Sequence, residues 1–388
     1  MTSPAPVSRA IVARGPAKST PWQIEQVSLR SLAKTELLVR VVAAGICHTD
    51  LHMAELAQVF GGYPQILGHE GAGYVEDIGA DVTVAKRGDP VLLSFASCGA
   101  CRLCATTHPA HCTRFSELNF IGSKDFSSPP PLGSSGQQEP SIRGSFFGQS
   151  SFASLTIAAE SSVVNVGGLV RSTDELKLFA PLGCGVQTGC GTITNVANAG
   201  PSDAVAIIGL GGVGLSAIMA AKIRGCKVII GIDKVASRTG LAKELGATHV
   251  INTTTMDGDM EKLKQAVCGM TDEGLGTSIT VDTTGVLPLI EAGVSFTAPR
   301  GHYIQVGSPT LGTALSVPLG ALMVSGKSIT GTIEGDTVSS EYIPQMIRWY
   351  REGMLPLEKL VKIFEAEEFQ RALGEMADGT VVKPVIVW

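Results

Sequence analysis

Apolar residues along this chain recur in two rhythms, and the change falls near residue 185. Before it, short β-branched runs alternate with charges and glycine turns, with little helical recurrence, which predicts a mainly β half. Residues 37–42 read as one strand, and the alternating residues 72–78 as another. After it, strand-length apolar runs are separated by helical stretches. Residues 204–208 (AVAII) read as a buried strand, residues 215–224 (LSAIMAAKIR) as a helix and residues 227–232 as a second strand. Four more strands are predicted at 248–252, 278–282, 303–307 and 328–333, with helices at 257–267 and 287–297. Six strands with crossovers describe a doubly wound parallel sheet, so the fold class is α/β. Residues 123–145 (SKDFSSPPPLGSSGQQEPSIRGS) follow neither rhythm and read as a long surface loop. A solvated insertion and a flap bordering an active site both fit it. No internal repeat is apparent.

Composition narrows the class. A chain of 388 residues is too long for one ordinary domain, and 44% apolar against 17% charged residues excludes a disordered chain. Thirty basic residues against 35 acidic ones, a formal charge of −5, leave no basic stripe for phosphates, so no nucleic-acid partner is expected. Residues 204–221 hold no ionisable group and approach the length of a membrane helix, about 20 residues. Gly209, Gly211, Gly212 and Gly214 interrupt that run, so a strand, a turn and a helix fit better and no membrane association is expected. The N-terminal residues lack an apolar export core, and a cytoplasmic location is expected.

Nine cysteines without an export signal point to metal or catalysis rather than to disulfides. Cys98, Cys101, Cys104 and Cys112 are spaced C-x2-C-x2-C-x7-C. Such short intervals let one loop wrap a tetrahedral zinc with no position left for water, a structural site. His108 and His111 lie inside the loop, but four thiols already close the shell. Cys47, His69 and Cys184 form a looser set. Two thiolates and an imidazole would make a catalytic zinc with an open position, although spacing alone is weak and a lone buried cysteine is more often packing.

The segment GLGGVG, Gly209 to Gly214, follows the strand at 204–208 and opens a helix. A G-x-G-x-x-G there lets a dinucleotide pyrophosphate approach a helix N-terminus. The second strand ends at Asp233, whose carboxylate would accept the adenosine ribose hydroxyls and repel a 2′-phosphate. NAD is therefore expected over NADP, a preference softened but not reversed by Lys234 and Arg238.

The motifs GICHTD, GHEGAG, the four-cysteine lobe, PLGCGVQTG and GLGGVG stand here in the order seen in zinc-dependent medium-chain alcohol dehydrogenases, which the whole chain resembles. Residues 144–153 (GSFFGQSSFA), the segment GTIEG and the tail from Ile343 through Trp349 to Lys359 look most like the aryl (benzyl) alcohol dehydrogenases. The resemblance implies a GroES-like β-rich catalytic domain over residues 1–185, with the zinc lobe at 98–112. It implies a Rossmann NAD-binding domain over 186–332 and a segment 333–388 completing the first domain. Cys47, His69 and Cys184 would bind the catalytic zinc, Glu70 would lie beside the metal and exchange with its water, and Asp50 would fix the His69 tautomer. Thr49 would bridge the substrate hydroxyl to the nicotinamide ribose, and His52 would pass the proton to solvent; Thr49 also reads as the cap of a helix starting at Asp50. His48 and Lys383 match pyrophosphate contacts, Thr188 and Val213 match nicotinamide contacts, and Val306 falls among the cofactor residues.

The implied reaction is reversible hydride transfer between a primary alcohol and NAD, with two zinc ions per chain and a homodimer or homotetramer. Ser94 stands where ethanol-type enzymes carry a bulky aromatic, and Glu334 where they are apolar, so the resemblance implies a roomier site than ethanol needs. Phe60 and Phe147 are candidate aromatic walls, and residues 311–325, nearly free of charge, are a candidate subunit interface. A glutathione-dependent formaldehyde dehydrogenase, an aldehyde reductase of a biosynthetic pathway and a non-catalytic zinc- and nucleotide-binding relative are the competing readings.

Overall fold

The strand Glu36–Gly45 organises the first part of the structure, a computed structural model that describes residues 5–128 and 141–388. Leu37, Val39 and residues 41–45 of this strand are buried, which suits a strand covered on both faces. One edge pairs antiparallel with Gly71–Ile78. The other edge is shared: residues 36–40 pair with Leu155–Ala159, and residues 43–45 pair with Lys383–Val387 near the end of the chain. The sheet continues as Pro90–Leu93 and Val163–Asn165 on one side, and as Val361–Glu365 beyond Lys383–Val387. A closed barrel of Val7–Ala13, Gln23–Leu29, Ser123–Ser127, Ile142–Gly144 and Gln65–Ile66 accompanies it. These elements form one unit, Met1–Cys184 with Val338–Arg348 and Leu357–Trp388.

The second unit is Gly185–Thr337 with Trp349–Pro356. Its parallel sheet has the order His249–Asn252, Val228–Asp233, Ala204–Ile208, Thr277–Asp282, Thr297–Gln305, Ser328–Gly331. This is the dinucleotide-binding order 3-2-1-4-5-6, and it puts the first apolar run of this half, Ala204–Ile208, at the centre where both faces are covered. Ala206, Ile208, Ile230, Ile232 and Ile251 pack with Leu263, Val267 and Phe296 of the crossover helices. The run 204–221 is thus the strand Ala204–Ile208, a glycine turn and the start of helix Gly212–Ile223. No helix among the described residues is long and apolar enough to cross a membrane.

Three expectations need correction. The stretch 123–145 is not loop throughout: Ser123–Ser127 and Ile142–Gly144 are barrel strands, paired with each other. Their few residues carry too short an alternation to stand out from a Ser/Pro/Gly-rich background; residues 129–140 lie outside the described residues. The strand expected at 303–307 runs from Thr297 to Gln305. Pro299, Arg300 and Gly301 read as a turn, but they form an irregularity within the ladder, with Arg300 in the left-handed region at φ 62°. Thr49 is not a helix cap. The helix is His48–Glu55, and Cys47 occupies the cap position.

Candidate active site and metal centres

Cys47 sits where Glu36–Gly45 gives way to helix His48–Glu55, and His69 lies just before the neighbouring strand Gly71–Ile78. Asp50 joins the two segments. Buried in the first turn of the helix, its carboxylate accepts the N–H of Cys47 (2.9 Å), the N–H of Gly68 (3.0 Å) and Nδ1–H of His69 (2.9 Å). A carboxylate only accepts, so the bond assigns the imidazole proton to Nδ1 and leaves the Nε2 lone pair free to bind. That Nε2 is buried and has no hydrogen-bond partner. Such a group costs roughly 1–3 kcal/mol unless something occupies it. The donor atoms of Cys47, His69, Glu70 and Cys184 all lie within 4.8 Å of one another, a set that suits a cation preferring sulfur and nitrogen.

Charge in the cluster is arranged to match. The hydrogen bond with Cys184 and the charge of Lys383 hold the Cys47 thiol well below its ordinary value, against the opposing effect of burial. Burial pulls His69 down, but the charge and hydrogen bond of Asp50, with the charge of Cys47, outweigh it and leave His69 well above its ordinary value. Burial raises Glu70, only partly offset by Lys383. Lys383 donates to Glu70 Oε1 at 2.8 Å and to the carbonyl of Ile46 at 3.3 Å. Register brings it there, because Val385 pairs with Gly45 and the N–H of Ile46 reaches the carbonyl of Pro384. Cys184 follows the turn Ala180–Gly183, whose last carbonyl accepts from Ser94 Oγ at 2.7 Å.

Phenylalanine rings line one side of His69. Phe147 stacks on the imidazole at 4.5 Å, and Phe146 meets it edge-on at 5.4 Å. Phe115 and Phe120 pack on Phe147 at 6.1 and 5.7 Å, and Phe60 and Phe95 extend the wall from them. Phe147 has φ 54°, a left-handed conformation that costs a non-glycine residue about 1–2 kcal/mol. Local bonds hold it: Gly148 N–H to Ser145 O, Ser150 N–H to Phe146 O, and Ser150 Oγ to Ile66 O. Gln149 adds a tie to His69 itself, accepting from Gly71 N–H and donating to the carbonyls of His69 and Ser94.

The four clustered cysteines also converge, with sulfurs within 4.8 Å of one another. A tetrahedral zinc with bonds of about 2.3 Å spaces its sulfurs about 3.8 Å apart. Cys98 and Cys104 lie 3.9 Å apart, and Cys101 and Cys104 3.5 Å. Backbone N–H groups of Cys104 and Thr113 hold Cys101 down at about 5. Burial, with the neighbouring Cys101, pushes Cys104 up to about 12. Thiolates this close repel, and a shared cation would let all four ionise.

In the second unit, the glycine turn is shaped by close approach. A Cβ on Gly214 would lie 1.8 Å from the carbonyl oxygen of Gly209, whereas one on Gly211 would meet nothing within 4 Å. The open space over Gly211, at the N-terminus of Gly212–Ile223, fits a pyrophosphate. Asp233 accepts the N–H of Leu210 on one oxygen (2.6 Å) and that of Val235 on the other (2.8 Å), which ties the turn to the second strand. Each oxygen keeps a second lone pair for a ribose hydroxyl.

Residues 33–167 match the family model "Alcohol dehydrogenase GroES-like domain", and residues 212–352 match "Zinc-binding dehydrogenase". Over 368 residues the chain is 35% identical to a geraniol dehydrogenase of Castellaniella defragrans, covering 95% of each. The chain belongs to the zinc-dependent medium-chain alcohol dehydrogenases. Among solved structures, this dehydrogenase is similar to the benzyl alcohol dehydrogenase of Acinetobacter calcoaceticus, at 35% identity and TM-score 0.88 over 98% of this chain and 99% of that one. An alcohol dehydrogenase zinc-binding domain protein from Burkholderia ambifaria matches at 36% identity and TM-score 0.88, over 99% of both chains.

The dehydrogenase brings together Cys47, His69, Glu70 and Cys184, with Asp50 on His69 and Thr49 Oγ1 3.6 Å from Cys47 Sγ. His48 is exposed and His52 half-buried on the helix His48–Glu55. Lys383 is buried as the counter-ion of Glu70, a contact the sequence did not suggest. Val306 closes its strand by donating to the Asp282 carbonyl, Arg238 lies in helix Ala236–Leu245, and Lys234 is exposed beside Asp233. Sequence reasoning missed Phe115, Phe120, Phe146, Gln149 and Arg143. The last is buried and donates to the carbonyls of Gly62, Phe120 and Ile121, so it ties down the segments that carry Phe60 and Phe120. The one available signal was the density of phenylalanine between residues 95 and 152.

Proposed function

We propose that this alcohol dehydrogenase transfers hydride reversibly between a primary aromatic or allylic alcohol and NAD, with two zinc ions per chain. The observation that carries the reading is the His69 imidazole, whose partnerless Nε2 faces two thiols while its ring forms part of a phenylalanine wall. Zinc held by Cys47, His69 and Cys184 would supply Lewis acidity, lowering the pKa of an alcohol as it lowers that of water, and NAD would accept the hydride. The chain's own residues do the rest. Asp50 holds the Nδ1 proton, so that a metal at His69 would take the place of a proton on Nε2. The hydroxyl of Thr49, next to Cys47, accepts the substrate proton as it passes on its own, and His52 on the same helix hands the released proton to solvent. Glu70, paired with Lys383, places a carboxylate beside the donors. The phenylalanine wall excludes water and offers aromatic faces to a substrate whose carbinol adjoins a π-system. Geraniol and benzyl alcohol, named for the two relatives, both have that character.

An initial-rate panel of benzyl, cinnamyl and short aliphatic alcohols with NAD and NADP, with and without glutathione, tests the reading. Benzyl and cinnamyl alcohol should exceed ethanol in kcat/KM by about 100-fold or more, from apolar contacts worth about 3 kcal/mol. NAD should be preferred, and glutathione should not be required. Equal rates on ethanol would remove the aromatic assignment.

We also propose a homo-oligomer formed through the outer edge of the six-stranded sheet. The helix Leu319–Ser325 has no buried residue, and Leu319, Met323 and Val324 are 79%, 77% and 83% exposed. It lies beside the unpaired edge strand Ser328–Gly331, which a second copy would continue. Met323→Glu with Val324→Lys should lower the mass measured by light scattering toward that of one chain; a monomeric parent protein contradicts the proposal.

A further inference from the structure

Beyond the last parallel strand, Ser328–Gly331, the chain enters a turn in which Glu334, Gly335 and Asp336 have φ of 52°, 64° and 50°. Two of these are not glycine, and such a turn persists only where its surroundings enforce it. Thr337 Oγ1 donates to the Glu334 carbonyl at 2.9 Å, Asp336 N–H to Ile333 O at 3.1 Å, and Asn195 Nδ2 to the Asp336 carbonyl at 3.3 Å. The result buries the Glu334 side chain, 3% exposed, against helix Gly185–Gly191. Its Oε2 accepts from Gln187 Nε2 at 2.9 Å and lies 3.4 Å from Thr188 Oγ1. Gln187 Oε1 in turn accepts from Thr337 Oγ1 at 3.3 Å, which closes the network.

This network is one helix away from the glycine turn. A Cβ on Gly189 would lie 2.1 Å from the carbonyl of Val213, and Cys190 Sγ reaches the carbonyl of Ser216 at 3.5 Å. In doubly wound sheets a dinucleotide lies across the carboxyl ends of the strands, its pyrophosphate at the turn after the first strand. Asp233 ends the strand on the adenosine side. Glu334 follows the carboxyl end of the outermost strand on the opposite side, toward which the nicotinamide half extends.

We infer that Glu334 makes the cofactor site discriminate between redox states, favouring oxidised over reduced nicotinamide. The inference rests on the dinucleotide reading above. The oxidised ring carries a positive charge and the reduced ring none, while adenosine, riboses and pyrophosphate are the same in both. Contacts to the shared parts therefore cancel in the ratio of the two affinities, and a buried carboxylate acting across Thr188 does not. The bias tightens binding of the oxidised form, the one that accepts hydride from an alcohol, and leaves the reduced form almost unaffected.

The test is equilibrium binding, by calorimetry for NAD and nicotinamide fluorescence for NADH, on the full chain with and without Glu334→Gln. Glutamine keeps an acceptor for Gln187 and Thr188 while removing the charge. Affinity for NAD should fall about tenfold, equivalent to about 1.4 kcal/mol, while that for NADH changes less than about twofold. Glu334→Asp, which restores the charge, should restore most of the ratio. Should the glutamine variant fail to fold, Glu334→Met carries the same test, because only the ratio is read. Equal weakening of both forms, or an unchanged ratio, overturns the inference and leaves the dinucleotide reading standing. A parent protein that binds neither nicotinamide form overturns both.

Discussion

Cys47→Ala is expected to cut turnover by about 1,000-fold or more and to lower bound zinc from two ions per chain to one, with NADH affinity nearly unchanged. Cys47, His69 and Cys184 are the three soft donors of the buried cluster, and two of them cannot hold an ion with an open position. The loss removes Lewis acidity worth several kcal/mol, and each 1.4 kcal/mol, roughly, is tenfold in rate. The variant is also clean. Asp50 binds Cys47 through its backbone N–H, which alanine keeps, so the tie to His69 survives. Elemental analysis, initial rates and a fluorescence titration of NADH read the three quantities. Full zinc content with more than a tenth of the parent rate would remove Cys47 from the site. Retention of one ion is part of the expectation, because the lobe of Cys98, Cys101, Cys104 and Cys112 holds its own donors apart from this cluster.

The second large effect separates two glycines of one motif. Gly214→Ala drives a Cβ to 1.8 Å from the Gly209 carbonyl, a backbone atom that cannot swing away, so the turn must open. Misplacing the loop by about 1 Å should cost about 100-fold in NADH affinity. The altered packing should also destabilise the fold by about 1–3 kcal/mol. Gly211→Ala meets nothing within 4 Å and should leave stability unchanged while still weakening NADH, because its methyl enters the space a pyrophosphate would take. Denaturant melts and NADH titrations of both variants check the pair. If Gly211→Ala bound NADH as the parent does, the pyrophosphate would not lie over that residue.

The parallel sheet was legible almost to the residue at its centre, where Ala204–Ile208 is apolar on both faces and glycines mark the turn. Legibility failed where the pattern is short or interrupted. The barrel strands Ser123–Ser127 and Ile142–Gly144 have only a few residues each, and Thr297–Gln305 contains a Pro-Arg-Gly bulge that reads as a turn. The convergence of Cys98, Cys101, Cys104 and Cys112 was legible because the four are neighbours in the chain and one loop brings them together. No such constraint links Cys47, His69 and Cys184, and only the likeness of their motifs to a family joined them in advance.

Which residue types are present, how the apolar positions recur and where the glycines stand were all properties of the chain, because each depends on neighbours a few residues apart. Pairing between strands remote in sequence decided everything else. It set Lys383 beneath Glu70, because Lys383–Val387 lies alongside Glu36–Gly45. It gathered Phe115, Phe120, Phe146 and Phe147 around one imidazole, and it turned Glu334 inward onto Thr188. Contacts of that kind have no local pattern, since burial and register, rather than any single segment's preference, determine which side chains meet.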